Sequence, residues 1–277
     1  LDYGLSRAVR AGNMVFLQGQ TGRPIDRCTI KEGFAGRGDP AVQADTAMKN
    51  VAQLLEDAGS CMEDICKVTV YVKDHTVREL VYPVLAKHLR GVKPVSTGLV
   101  VSHFGLPEVD FEIDVHAVIP QPMITTSSDT SQWKHERIRL INTNSLEGRD
   151  QRFPRLEYGL SRAVRAGSAI YLQGQTGRTF DGGFVGEGDP AAQANQAMRN
   201  VRQLLEESGS CMEDICKITV YVKDHSYRRL VYPVLADHLK GVFPCSTGVV
   251  VSTFGHPLVD FEIDVFAVMN GRGDTIL

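Results

Sequence analysis

One segment near the end of the first half of the sequence carries four ionisable side chains at alternate positions: Asp110, Glu112, Asp114 and His116. Between them fall Val109, Phe111, Ile113, Val115 and Ala117. A period of two sends these sets to opposite faces of a strand. The pattern returns near the end of the chain as Asp260, Glu262 and Asp264, with Phe266 in place of the histidine. Two readings are open. One is a solvated sheet face. The other is a polar wall at a subunit interface, where burial raises a carboxyl pKa and suits it to act as a base. Arg23 and Arg178 each follow a "GQTG" segment and could bring a cation to such a carboxylate. The plainer alternative for both is a solvated loop arginine.

The elements that must position these groups occur twice. "YGLSRAVRAG" stands at 3–12 and again at 158–167, and "CMEDICKVTVYVKDH" at 61–75 recurs at 211–225 with only Val68 changed, to Ile218. The period is too long for a solenoid, so each copy is a domain. We place the first at 1–119, a Pro/Ser/Thr-rich linker at 120–135 and the second at 136–277. The offset falls from 155 to 150 because the first copy has five extra residues between Arg23 and Phe34, read as a hairpin loop that carries Cys28. "RIRLIN" after the linker alternates as a strand. Its counterpart in the first copy is expected upstream of Leu1.

Within a copy, Met14 to Leu17 reads as a buried strand after the Gly12-Asn13 turn. Asp39 suits a helix N-cap, Pro40 the first helical position and Gly59 the C-terminal cap. Ala44, Ala47, Met48, Val51, Leu54, Leu55 and Ala58 keep the 3.6 period between them. "ICKVTVYVKD" is a β-branched strand, and 77–90 a second helix that starts late or kinks at Pro83. "STGLVVSHF" and "VDFEIDVHAV" close the copy. The order β-β-α-β-α-β-β predicts an α+β fold, a mixed sheet with two helices on one face.

Composition narrows the function. The chain has 277 residues, 43% apolar, with a net charge of −3 and no basic block that would track nucleic acid. No apolar run approaches the ~18 residues of a membrane span. Four of the six cysteines, Cys61, Cys66, Cys211 and Cys216, fall in duplicated apolar segments and read as buried thiols of a reducing, cytoplasmic setting. Their C-x4-C spacing lacks the second ligand pair of a zinc site, so no metal is expected.

Read together, these segments resemble the Rid (YjgF) family. "AVRAGNMVFLQGQTG" is similar to its opening strands, "DPAVQADTAMKNVAQLLEDAG" to its helix, "CMEDICKVTVYVKD" to the strand that follows and "FEIDVHAV" to its closing strand. The resemblance covers nearly all of both copies. It implies a chorismate-mutase-like fold, trimers with active sites between neighbouring domains, and hydrolysis of enamines or imines to ketoacids and ammonia without a cofactor. It also implies a Glu that positions the attacking water, matched by Glu112 and Glu262.

The departures are equally specific. The family's carboxylate-binding Arg in "P-x-R" is replaced by Ser96 in "KPVSTG" and Ser246 in "FPCSTG". An aromatic is replaced by Leu5 and Leu160, and a Ser before "GQ" by Gln18 and Gln173. Ser96, Thr97, Ser246 and Thr247 then offer hydroxyls where the Arg would sit, or else hydrogen-bond at a strand end. Gln18 and Gln173 could bind a substrate amide or carbonyl. The duplicated His75/His225 and His88/His238 read as structural, whereas His103, His116, Cys245 and His256 each occur in one copy only. The RGD in the tail reads as chance. The leading expectation is a small-molecule hydrolase of C=N or C–N bonds. A silent binding module is the rival, with an endoribonuclease third. Because threefold rings need three domains, a two-domain chain is expected to form a homotrimer, with neither nucleic acid nor membrane as partner.

Overall fold

The computed structural model describes residues 6–25, 33–121, 135–139 and 159–269. In the first domain, strands β1 (Ala8–Ala11) and β2 (Met14–Leu17) form a hairpin. Its turn places Gly12 at φ 63°, where a side chain would be strained. Helix α1 (Pro40–Asp57) starts as its sequence predicts: the Asp39 carboxylate accepts from the N–H groups of Ala41 and Val42 at 3.1 and 3.2 Å. Such a cap stabilises a helix by about 1 kcal/mol. Gly59 follows the helix at φ 73° and ends it. Strand β3 (Ile65–Val72) leads to α2 (His75–His88), then β4 (Val95–Val100) and β5 (Phe111–Val118). The second helix does not wait for Pro83. Asp74 accepts from the Thr76 N–H at 2.7 Å and starts it earlier, leaving Pro83 inside.

The second domain repeats this as β6 (Glu136–Ile138), β7 (Ala163–Ala166), β8 (Ala169–Leu172), α3 (Pro190–Glu207), β9 (Ile215–Val222), α4 (Arg228–His238), β10 (Cys245–Val250), β11 (Thr253–Phe254) and β12 (Phe261–Val268). The strand expected in "RIRLIN" is β6, which pairs with β7. Each sheet is mixed, because the α2 or α4 crossover makes β3–β4 and β9–β10 parallel while the remaining pairs are antiparallel. The helices cover one face, where Ala44, Met48, Val51 and Leu55 meet Val68, Ile113 and Val115 in a fully buried layer.

The other sheet face joins the two domains. Cys66, Val95 and Val118 of the first pack with Val164, Ala166, Ala169 and Tyr171 of the second. Strand β11 goes further and adds to the first domain's sheet, with Thr253 opposite Val100 and Phe254 opposite Leu99. Phe254 is 1% exposed there, a burial worth about 2 kcal/mol.

This contact corrects the reading of the thiols. Cys66 is buried, but its copy Cys216 is exposed, as are Cys61 and Cys245, with Cys211 in between. Only the first copy of the strand has a domain laid against that face. Cys28, the inserted loop, most of the linker, Leu5 and the RGD tail lie outside the described residues. Among the described residues no helix is long and apolar enough to cross a membrane, and no cluster of His, Cys, Asp and Glu could hold a metal ion.

Candidate active site

The polar stripe of the last strand divides by task. Asp110 is held by Gln43, whose amide donates to its carboxylate at 3.1 Å and accepts from its N–H at 2.9 Å, and by Lys73 at 3.4 Å. Asp114 accepts from the Tyr71 hydroxyl at 3.1 Å. His116 lies edge-on to Phe16, and burial pushes its pKa down. His116, Asp264 and Phe266 line an apolar cavity between the domains with Phe16 and Tyr171, whereas the Glu of each stripe turns into a polar cleft. Glu112 lines one with Gln18 and Arg23; Glu262 lines another with Gln173 and Arg178.

The Glu262 cleft is closed over by the first domain. Its cavity, about 110 Å³, runs between the Gln173–Arg178 loop and β12 of the second domain, and α2 and β4 of the first. Glu262 is 7% exposed. Burial and the neighbouring Asp264 charge push its pKa up to about 8, against the pull of Lys67 and Arg78. Desolvation disfavours the charged carboxylate, so at neutral pH this carboxyl holds its proton. Gly174 makes the space, since a Cβ there would run into the Glu262 carboxyl. One acceptor of the Gln173 amide is buried with no partner, an unspent hydrogen-bonding group at the cavity wall.

A cross-domain ion pair fixes the walls. Lys67 of β3 donates to Asp264 of β12 at 2.8 Å, to the Leu172 carbonyl at 3.1 Å and to the Thr97 hydroxyl at 2.7 Å. Thr97 also donates to Asp264 at 2.5 Å. Thr97 therefore serves the interface, whereas Ser96 lines the cavity and hydrogen-bonds with the buried Tyr82 hydroxyl.

The cavity also holds a group that the sequence reasoning passed over. Arg78, from α2, stacks 4.3 Å from the centre of the Tyr82 ring and lines the cavity opposite Glu262's domain. The available signal was an Arg four residues before a Tyr on a helix, repeated as Arg228 and Tyr232. His256, noted only as unique to the second copy, lines the cavity too, as does Leu160.

The other expected residues are not brought to this cavity. Gln18, Arg23 and Glu112 line a cleft that no second domain covers. Ser246 and Thr247 lie on β10, all six residues of which are exposed, and Lys217 bonds only Thr247 there, at 2.6 Å. Among the described residues, the cavity beside Glu262 is thus built by both domains and the cleft beside Glu112 by the first alone. His88 and His238 are structural as expected, paired at 2.8 Å with Asp45 and Asn195.

Comparison with known proteins matches both halves of the chain to one family. Residues 3–119 and 152–269 each fit the family model described as Endoribonuclease L-PSP. A RutC family protein of Pyrococcus horikoshii is 35% identical over 113 residues, 41% of this chain and 83% of that protein. The human 2-iminobutanoate/2-iminopropanoate deaminase is 30% identical over 84 residues, 30% of this chain and 61% of its own length. A crystal structure of a YjgF/YER057c/UK114 family member from Mycobacterium tuberculosis is similar at 31% identity, covering 40% of this chain and 87% of that one, with a TM-score of 0.36. With both halves matched, the chain belongs to the endoribonuclease L-PSP family, the Rid or YjgF group, as two tandem copies of its domain.

Proposed function

We propose that the protein is a hydrolase of small enamines or imines, acting without a cofactor in the cavity between its two domains. One observation carries this reading: Glu262 is a buried carboxyl, its pKa pushed up by burial, facing a small cavity between the two domains. A relative named as a 2-iminobutanoate/2-iminopropanoate deaminase supports it. An imine carbon is already electrophilic, so the residues need only move protons and hold water. Neutral Glu262 gives its proton to the imine nitrogen and forms an iminium. As a carboxylate it then takes a proton from water while the water oxygen bonds to carbon. The carbinolamine collapses to a carbonyl compound and ammonia, and the carboxyl is protonated again. Gln173 and Ser96 orient the substrate. Thr97 and Lys67 keep the domains at working distance. The size of the cavity fits a small molecule better than an RNA strand.

Glu112, Gln18 and Arg23 of the first copy, with Ser246 and Thr247 of the second, line surfaces that the chain's own domains leave open, and turnover is assigned to the Glu262 cavity. The homotrimer expected from domain counting supplies six domains, enough for two threefold rings. Light scattering tests it, and a monomer mass would refute the assembly without touching the Glu262 site.

The deciding experiment is turnover of freshly generated 2-iminopropanoate by the wild type and by Glu262→Gln. Loss of turnover with an unchanged fold supports the reading. No turnover by the wild type across a range of imines selects the binding module instead.

A further inference from the structure

Arg78 has the placement of an anion clamp. Its guanidinium lies against the Tyr82 ring, and Tyr82 is itself fixed by burial and by its bond with Ser96. Two glycines, one in each domain, clear its path. A Cβ on Gly98 would stand 2.9 Å from Arg78 Nη1 and inside contact distance of the Tyr82 hydroxyl. A Cβ on Gly255, across the domain boundary, would overlap the guanidinium. Among the described residues no carboxylate lies within ion-pairing distance of it. The second copy shows that this posture precedes any partner: Arg228 stacks 4.6 Å from the Tyr232 ring, and a Cβ on Gly248 would meet it at 2.7 Å, although its surface is uncovered.

A guanidinium held flat by an aromatic ring offers a planar fork of donors that matches a carboxylate in two parallel hydrogen bonds. We propose that Arg78 receives a carboxylate of the ligand, making it the residue that sets the cavity's preference for 2-imino and 2-oxo acids over their neutral amides. The ligand then bridges the domains, its acid group on α2 of the first and its C=N bond beside Glu262 of the second. That second half of the statement rests on the hydrolase reading; the clamp itself does not.

The test uses the full chain and two probes of similar shape, pyruvate and pyruvamide, with affinity read by calorimetry. The wild type should bind pyruvate more tightly than pyruvamide. Arg78→Gln should lose about ten-fold or more of the pyruvate affinity, the scale of a charge-assisted pair, and leave pyruvamide unchanged. Arg78→Lys should recover part of it. A merely structural Arg would weaken both probes alike. Equal binding of pyruvate by the wild type and Arg78→Gln, or a wild-type preference for pyruvamide, overturns the proposal. Gly255→Ala is a second probe, since its methyl displaces the guanidinium while keeping its charge; it should also lower pyruvate affinity, and unchanged affinity counts against the clamp. Pyruvate selectivity without imine turnover would keep the clamp and remove the hydrolase; turnover unaffected in Arg78→Gln would do the reverse.

Discussion

Glu112 and Glu262 occupy the same place in the same strand, opposite Tyr71 and Tyr221. They sit in different media. Glu262 has β4 and α2 of the other domain over it and is pushed to about 8, while Glu112 is half-buried and raised by burial and Asp114 alone. The pairs Lys67/Lys217 and Cys66/Cys216 divide the same way, one member enclosed and one open. Identical local sequence therefore gives different chemistry, because a neighbour removes water from one copy. Solvent exclusion, more than residue type, separates a candidate site from a surface.

The largest effect should come from the Glu pair. Glu262→Gln should lower kcat/KM by roughly 10²–10⁴-fold, the usual worth of a proton-transferring group, and Glu112→Gln by far less. Equal losses in steady-state assays would erase the distinction between the copies. The lysines should follow. Lys67→Met leaves the half-buried Asp264 without its cation and should cost on the order of 2 kcal/mol in urea unfolding, whereas Lys217→Met, at an uncovered surface, should cost almost nothing.

The pH dependence of stability sharpens the contrast further. Glu262 binds its proton more tightly folded than unfolded, so its contribution is whole below about pH 4.5 and is lost as pH rises toward 8. Stability should fall with rising pH across that window, by on the order of 1 kcal/mol per pH unit at most, and the fall should be absent in Glu262→Gln. In the same direction, kcat/KM should fall as pH rises through about 8, since the protonated form starts the reaction. A profile flat from pH 6 to 9 would remove Glu262 as the acid. The smallest effect is a labelling rate: an aromatic disulfide reagent should modify Cys216 readily and Cys66 slowly, because Cys66 is buried and its thiol is pushed up to about 12.

Much of this was legible beforehand. The duplication, the Asp39 cap, the strand order and the inward Glu follow from local rules, since capping, turn geometry and two-residue alternation act within a few residues. Ser96, Gln173, Arg178 and Glu262 were all named from the sequence and do share one cavity. Of the stripe's two readings the solvated face was too uniform, since Asp110 and Asp114 are engaged by Gln43 and Tyr71. Arg78 escaped because a helical Arg-x-x-x-Tyr pair reads as a surface feature until a second domain lies across it.

The sequence by itself determined that one α+β unit is present twice and where its last-strand carboxylates point, because those are matters of period and propensity. Only the tertiary structure decided that β11 crosses to the other sheet, that Lys67 finds Asp264 nearly two hundred residues away, and that one Glu of two is stripped of water. Such contacts depend on which face of one domain meets which face of the other. Two copies with nearly the same sequence carry the same faces, so nothing local could say which would be covered.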